Sequence, residues 1–225
     1  MPTRLRRNKL PDTHALHAHQ FDSMEQQRES SSLGMWIFLV TEIMFFGGLF
    51  LVYIVYRNLF HEGFVAGSHH LDIRLGAINT AVLIGSSLTM ALAVRASQMG
   101  KRNLTILFLL FTIVLGGTFL GIKVVEYGEK FHDHLVPGAS FEWEEKPEIT
   151  NQVELFYSMY FCMTGLHATH MIIGIGILLT LMYHAKQGRY SPEYHAPVEL
   201  TGLYWHFVDI VWIFLFPFLY LLGRH

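Results

Sequence analysis

Cysteine is all but absent from this chain, where Cys162 stands alone. One thiol excludes an internal disulfide and excludes the paired thiolates that hold a dinuclear copper centre. Charge is scarce too. Asp, Glu, Lys and Arg make up 15% of the 225 residues, where a soluble domain carries about a quarter. The net charge of -2 is too small to imply a nucleic-acid partner. The basic N-terminus, with Arg4, Arg6, Arg7 and Lys9, is not followed by a short apolar stretch closed by small residues, so no cleavable signal peptide is expected. A serine elbow and a metalloprotease signature are also lacking, which argues against an intramembrane hydrolase.

What is plentiful is apolar side chain, 52% of the total. The charges are swept into tails and connectors. They leave runs of about 20 or more largely apolar residues, the length a helix needs to cross hydrocarbon about 30 Å thick. The expected fold is therefore an all-α integral membrane protein, a bundle of five transmembrane helices, with a bilayer as its solvent. The spans are placed at about 33–56, 76–97, 103–126, 155–183 and 201–223 of a transmembrane domain covering 33–225. The fourth is long for one crossing, so it is expected to tilt or to project beyond the bilayer. Residues 1–32, polar and rich in His, Gln and Ser, are expected to form a cytoplasmic arm, mobile or bound to a partner.

Orientation follows from basic residues, because basic connectors resist translocation. With the N-terminus inside, the inner side holds Arg4, Arg6, Arg7, Lys9, Arg28, Arg95, Lys101, Arg102, Lys186 and Arg189. The outer side holds Arg57, Arg74, Lys130, Lys146 and Arg224, with Lys123 near the end of the third span. Ten against six favours N-terminus inside and C-terminus outside. Small residues cluster within the spans at Gly47 and Gly48, Gly85 to Ser87, Gly116, Gly117 and Gly121, and Gly174 and Gly176. They read as packing surfaces, Gly117 and Gly121 having the GxxxG spacing for close backbone approach.

Several residues are costly to place in hydrocarbon. Glu42 lies near the middle of the first span, as a proton-relay or ligand-contact residue or as a hydrogen-bonding partner of a neighbouring helix. His167 and His170, at i and i+3 of the fourth span, share one face about a turn apart. A haem would need an opposing histidine at matching depth, for which His206 is the next candidate, so interhelical hydrogen bonding is preferred to metal ligation. In the fifth span His206 and Asp209, again i and i+3, can pair, while Trp205 and Trp212 form a second stripe that anchors at the interface or packs against a neighbour. Pro217 should kink that helix near its outer end. Glu126, at the outer end of the third span, reads as a hydrated interfacial charge.

At this point four stretches resemble a known family in order and separation: GMWIFLVTEIMFFGGLF in the first span, INTAVLIGSS in the second, TGLHATHMIIG in the fourth and GLYWHFVDIVWIFLFPFLYLLG in the fifth. They are similar to subunit III of the haem-copper cytochrome and quinol oxidases, from about residue 33 to 223. The resemblance implies a short, five-span form without the first two spans of longer members, whose missing wall of a lipid-filled cleft a neighbouring subunit would supply. It implies that Glu42 is the buried carboxylate on the cleft-facing helix, with His167 and His170 as the paired histidines. Glu126 matches the acidic residue of an EYxE turn, and Trp205, His206 and Asp209 match the YWHFVD signature. It places His195 and Glu199 in an inner loop that holds phospholipid head groups, beside the positive charge of Lys186 and Arg189.

The implied role is support without catalytic residues, metal or haem in this chain. Phospholipids would be bound here, and haem and copper would sit in partner subunits. The partners would be oxidase subunit I by direct docking, subunit II and further oxidase or supercomplex subunits, in the bacterial cytoplasmic membrane. The bound lipids would guide oxygen, and the subunit would help maintain proton uptake. Other readings stay open: the equivalent subunit of a quinol oxidase, an accessory subunit of nitric oxide reductase, a membrane cytochrome using His167 or His170 with His206, or a small proton-coupled transporter, although no repeat supports the last.

Overall fold

In hydrocarbon every backbone N–H and C=O must be satisfied within the protein, and an apolar chain meets that demand by forming helices. The computed structural model describes residues 21, 23–143, 145–191 and 194–223 and is helical almost throughout. Its elements are α1 (Met24–Leu59), α2 (His61–His69), α3 (Ile73–Gln98), α4 (Arg102–His132), α5 (Thr150–Lys186) and α6 (Ala196–Tyr220), with one 3-10 turn at Pro147–Ile149. Five of the helices are long and apolar enough to cross a membrane, and among the described residues there is no strand, only a single bridge between Ser191 and Tyr194.

The helices outrun the apolar segments. α1 starts at Met24, within the stretch read as a polar arm, because Ser23 caps it by accepting from Gln26 N at 3.1 Å. Glu25, Gln26, Gln27 and Arg28 then favour helix regardless of hydropathy. The rest of that arm, 1–20 and 22, lies outside the described residues. α5 has 37 residues, about 55 Å at 1.5 Å per residue, so it projects well beyond a bilayer core. The connector after α1 holds α2, a helix too short and polar to be seen as a span. At the next start, Asp72 caps α3 by accepting from Arg74 N at 2.7 Å. Gly100 and Gly188, with φ of +68° and +74°, close α3 and α5 in the left-handed conformation that glycine takes without cost.

α3, α4, α5 and α6 form a ring in which each packs on the next and α6 closes onto α3. α1 stands outside the ring and leans on α6 and α5, and α2 lies across the end of α5. The apolar stretch of α6 is 56% buried, against 17% for α1, so α6 is the central helix and α1 the peripheral one. Two glycines make that centre possible. Trp205, fully buried, lies in a notch where its ring atoms stand 2.9 Å from where a Cβ would sit on Gly116 and on Gly174. Its indole N–H donates to Ser86 Oγ at 2.8 Å. Gly117 and Gly121, expected to be packed, instead have nothing within 4 Å of a Cβ position, as do Gly47, Gly48 and Gly176. Within α4 the packing glycine is Gly116, one residue off the GxxxG pair.

Candidate functional site

Three groups of polar side chains inside the spans contain residues predicted from the sequence. The first joins α4, α5 and α6. Lys123 and Glu126 are 3% and 1% exposed and pair at 2.9 Å. The Lys123 ammonium also donates to the hydroxyls of Tyr160 at 3.0 Å and Tyr220 at 2.9 Å. Those two hydroxyls in turn donate to Glu126 Oε1, at 2.9 and 2.5 Å. The three ammonium donors and both carboxylate oxygens are thus answered, and the rings of Tyr127, Tyr160, Trp212 and Tyr220 surround the cation at 5.0 to 5.6 Å. This corrects the reading of Glu126 as a hydrated boundary charge. The apolar run in the sequence ends at Glu126, but α4 continues to His132, and the two tyrosines reach it from other helices. The sequence reading counts Lys123 only as a charge near a span end; its i, i+3 spacing to Glu126 is the signal that would have found the pair.

The second group joins α1 to α5. His170 Nε2 lies 3.2 Å from Glu42 Oε2, and His170 Nδ1 lies 2.8 Å from the carbonyl of Leu166. A carbonyl only accepts, so Nδ1 carries a hydrogen. Tyr204 OH donates to the His170 carbonyl at 3.0 Å, and Phe46 meets the imidazole edge-on at 5.3 Å. The expected interhelical hydrogen bond is therefore made by His170. It is not made by His167, whose ring is 1% exposed, has no hydrogen bond at either nitrogen, and packs on Phe119 and Trp212 at 5.4 Å. The 60° between i and i+3 positions turns the two rings to different neighbours.

The third group lies between α3 and α6. His206 and Asp209, expected to pair, do not. His206 Nδ1 bonds Ser87 Oγ at 2.7 Å. Asp209 is 3% exposed, with both carboxylate oxygens enclosed, and Ser87 is the polar side chain that faces it. Ser87 is read from the sequence as a small packing residue; its hydroxyl is what draws His206 away. Trp205 and Trp212 are both fully buried, so their role is packing, with the Trp212 indole donating to Thr80 at 3.1 Å. Pro217 sits in the last turn of α6, and Tyr53 of α1 donates to the nearby Phe218 carbonyl at 2.6 Å.

Of the residues predicted to meet head groups, His195 and Glu199 lie where α6 begins. Glu199 is a hub: Gln98 donates to it at 2.6 Å, His195 Nε2 is 3.1 Å away and Arg28 3.4 Å. Glu199 thus ties α1 and α3 to α6. Lys186 and Arg189 remain exposed at the end of α5 and just beyond it, and nearby burial pushes the Tyr190 phenol up to about 12. Arg28, Ser31, Tyr194 and His195 line a small hollow of about 90 Å³ there. At the other end Lys130 donates to the His70 carbonyl at 2.7 Å. Glu62 and Lys146 pair at 2.6 Å, and His70 and Glu145 lie 3.5 Å apart. Among the described residues no group of three or more His, Cys, Asp or Glu side chains is arranged to hold a metal ion.

Against known proteins, residues 15–224 match the family described as Cytochrome c oxidase subunit III. The chain is 32% identical over 213 residues to Quinol oxidase subunit 3 of Bacillus subtilis, covering 93% of this chain and 97% of that protein. It is 30% identical over 213 residues to Cytochrome c oxidase subunit 3 of Thermostichus vulcanus, covering 92% of each. To Probable quinol oxidase subunit 3 of Staphylococcus aureus it is 30% identical over 206 residues, covering 90% of this chain and 94% of the relative.

Proposed function

The chain belongs to the cytochrome c oxidase subunit III family, a subunit of the haem-copper oxidases, and from that premise we propose that it is a structural subunit of a bacterial terminal oxidase that carries no redox centre. It docks beside subunit I, with subunit II and other oxidase subunits as further neighbours, retains phospholipids at the dock, and supports oxygen access and proton uptake. Its place is the bacterial cytoplasmic membrane, with the N-terminus inside.

One observation carries this reading: the ionisable groups in the spans are used mainly to hold helices to one another. Glu42 with His170 joins α1 to α5, and Lys123 with Glu126 joins α4 to α5 and α6. The peripheral helix α1, attached through Glu42, leaves a broad apolar face that includes Trp36, Ile43, Met44 and Leu51, each more than half exposed. That face supports the assignment of α1 as the wall of a lipid-holding cleft, and exposed Lys186 and Arg189 would draw anionic head groups to its inner end.

We read the electron donor as cytochrome c. A second reading, quinol, is favoured by the names of the Bacillus and Staphylococcus relatives. Gentle-detergent purification through a tag on this chain tests both levels. The expected result is recovery of a many-helix subunit with haem and copper, whose oxidation of reduced cytochrome c or of quinol identifies the donor. Recovery of the chain alone with its own haem spectrum would overturn the proposal. In the same complex, Glu42→Ala should leave the haem spectrum unchanged while lowering retained phospholipid and shortening the number of turnovers before inactivation. Loss of haem from that variant would contradict the supporting role.

A further inference from the structure

Outside the apolar runs, α2 and the loop before α5 border a hollow of about 480 Å³ lined by the imidazoles of His61, His69 and His70 together with Trp143 and Glu145. His70 stands at the C-terminal end of α2 with an acceptor at each ring nitrogen. Its Nδ1 lies 3.2 Å from the Ala66 carbonyl, and its Nε2 lies 3.5 Å from Glu145 Oε1. The carbonyl requires a hydrogen on Nδ1, and only the imidazolium has a second hydrogen to direct at the carboxylate. Other contacts fix where the ring sits: buried Trp143 meets it edge-on at 4.7 Å, and Lys130 donates to the His70 carbonyl at 2.7 Å.

We propose that His70 and Glu145 form a proton-operated latch, which keeps the loop before α5 closed over this hollow while His70 is charged and frees Trp143 and Glu145 from α2 when it is not. With His70 neutral, the bare Nε2 faces a carboxylate, acceptor against acceptor, so the loss of one proton turns attraction into repulsion. An imidazole makes that exchange between about pH 5 and 8. The latch is therefore shut at the acid end of that range and loosens as pH rises through it. Neighbouring charges are engaged elsewhere. Glu62 is held by Lys146 at 2.6 Å, His69 Nε2 lies 3.3 Å from the Gly223 carbonyl, and Asp72 accepts from the Arg74 and Leu75 backbone at the start of α3. Glu144 lies outside the described residues, and among the described ones α4, α5 and α6 add no charged side chain to the lining. The Glu62 and Lys146 pair keeps both charges across the same range, so the loop stays tethered there while the part before it moves. Release uncovers Trp143 and Ile149, both buried in the closed form. His70 and Glu145 are 37% and 64% exposed, so water screens their contact and the open population changes by about two- to fivefold.

Hydrogen–deuterium exchange of the full chain in the complex it purifies with, held in lipid nanodiscs and corrected for the intrinsic effect of pH, tests the latch through peptides that cover the loop. Between about pH 5.5 and 8.5, the range in which imidazole titrates, protection around Trp143 should fall by about two- to fivefold. His70→Gln, whose amide donates at every pH, should abolish the step. Glu145→Gln should also abolish it and leave the loop protected at the alkaline end, because its amide donates to the neutral ring. His61→Gln and His69→Gln should keep the step. Constant protection in the native chain, a step that survives in His70→Gln or Glu145→Gln, or one that vanishes in His61→Gln or His69→Gln would each overturn the latch. Should His70→Gln fail to accumulate, Glu145→Gln on the exposed loop decides. The latch depends on this chain's own residues, so it stands or falls apart from the oxidase reading.

Discussion

Lys123 shows most plainly what a single residue in hydrocarbon demands. Its ammonium and the Glu126 carboxylate together use Tyr160 and Tyr220 to satisfy every strong donor and acceptor they have. Removing one partner of a buried pair leaves a charge without compensation and costs about 3 to 5 kcal/mol, whereas replacing both by apolar groups is often close to neutral. Lys123→Met should therefore lower the thermal unfolding midpoint of the solubilised subunit sharply. Adding Glu126→Leu should recover much of the loss, and a double variant less stable than either single one would show that the pair is not the unit. Glu42 and His170 differ: with His170 Nδ1 donating to the Leu166 carbonyl, Glu42→Gln supplies an amide donor to Nε2 and should keep α1 attached where Glu42→Ala loosens it. Limited proteolysis between α1 and α2 would report the difference.

Among the elements, α6 depends on the backbones around it. The indole of Trp205 occupies the space that side chains at 116 and 174 would fill, so Gly174→Leu should destabilise the bundle by at least the roughly 1 to 3 kcal/mol of ordinary overpacking. Gly117→Leu, facing open space, should leave the unfolding midpoint of the isolated subunit within error. Equal losses from both would refute the notch. The GxxxG spacing pointed to the right stretch of α4 and to the wrong residue, because spacing finds a small-residue stripe without saying which side of it another helix covers. Pairing of His206 with Asp209 failed for a similar reason: i, i+3 placement allows contact, and Ser87 on α3 competes for the imidazole.

For the whole molecule, the end carrying α2 packs through buried Phe64 and also carries a charged clasp outside the spans. The Lys146 ammonium holds the Glu62 carboxyl below its ordinary value near 4.5, and Glu62 holds Lys146 above its ordinary 10.5. A lowered carboxylate pKa contributes stability that is present above about 4.5 and is lost as pH falls through the lowered value. A raised lysine pKa contributes below 10.5 and is lost as pH rises through the raised one. The clasp between α2 and the loop before α5 should thus hold across neutral pH and loosen in acid. A distance probe between α2 and that loop should show opening below about pH 4.5 in the native chain. In Glu62→Gln it should show no such step, and an unchanged acid transition there would assign the opening to His70 and Glu145 instead.

The amino-acid sequence by itself determined the class of solvent, the number of crossings and the family. Each of these depends on properties that add along the chain: mean hydropathy over about twenty residues, and motifs read in order. The tertiary structure alone decided which acids are buried, which histidine finds a partner and which glycine admits an indole. Those outcomes depend on what comes from other helices, as with Tyr160 and Tyr220 at Glu126, Glu42 at His170 and Ser87 at His206. A linear pattern fixes the side of a helix on which a group lies, and only packing fixes what lies opposite.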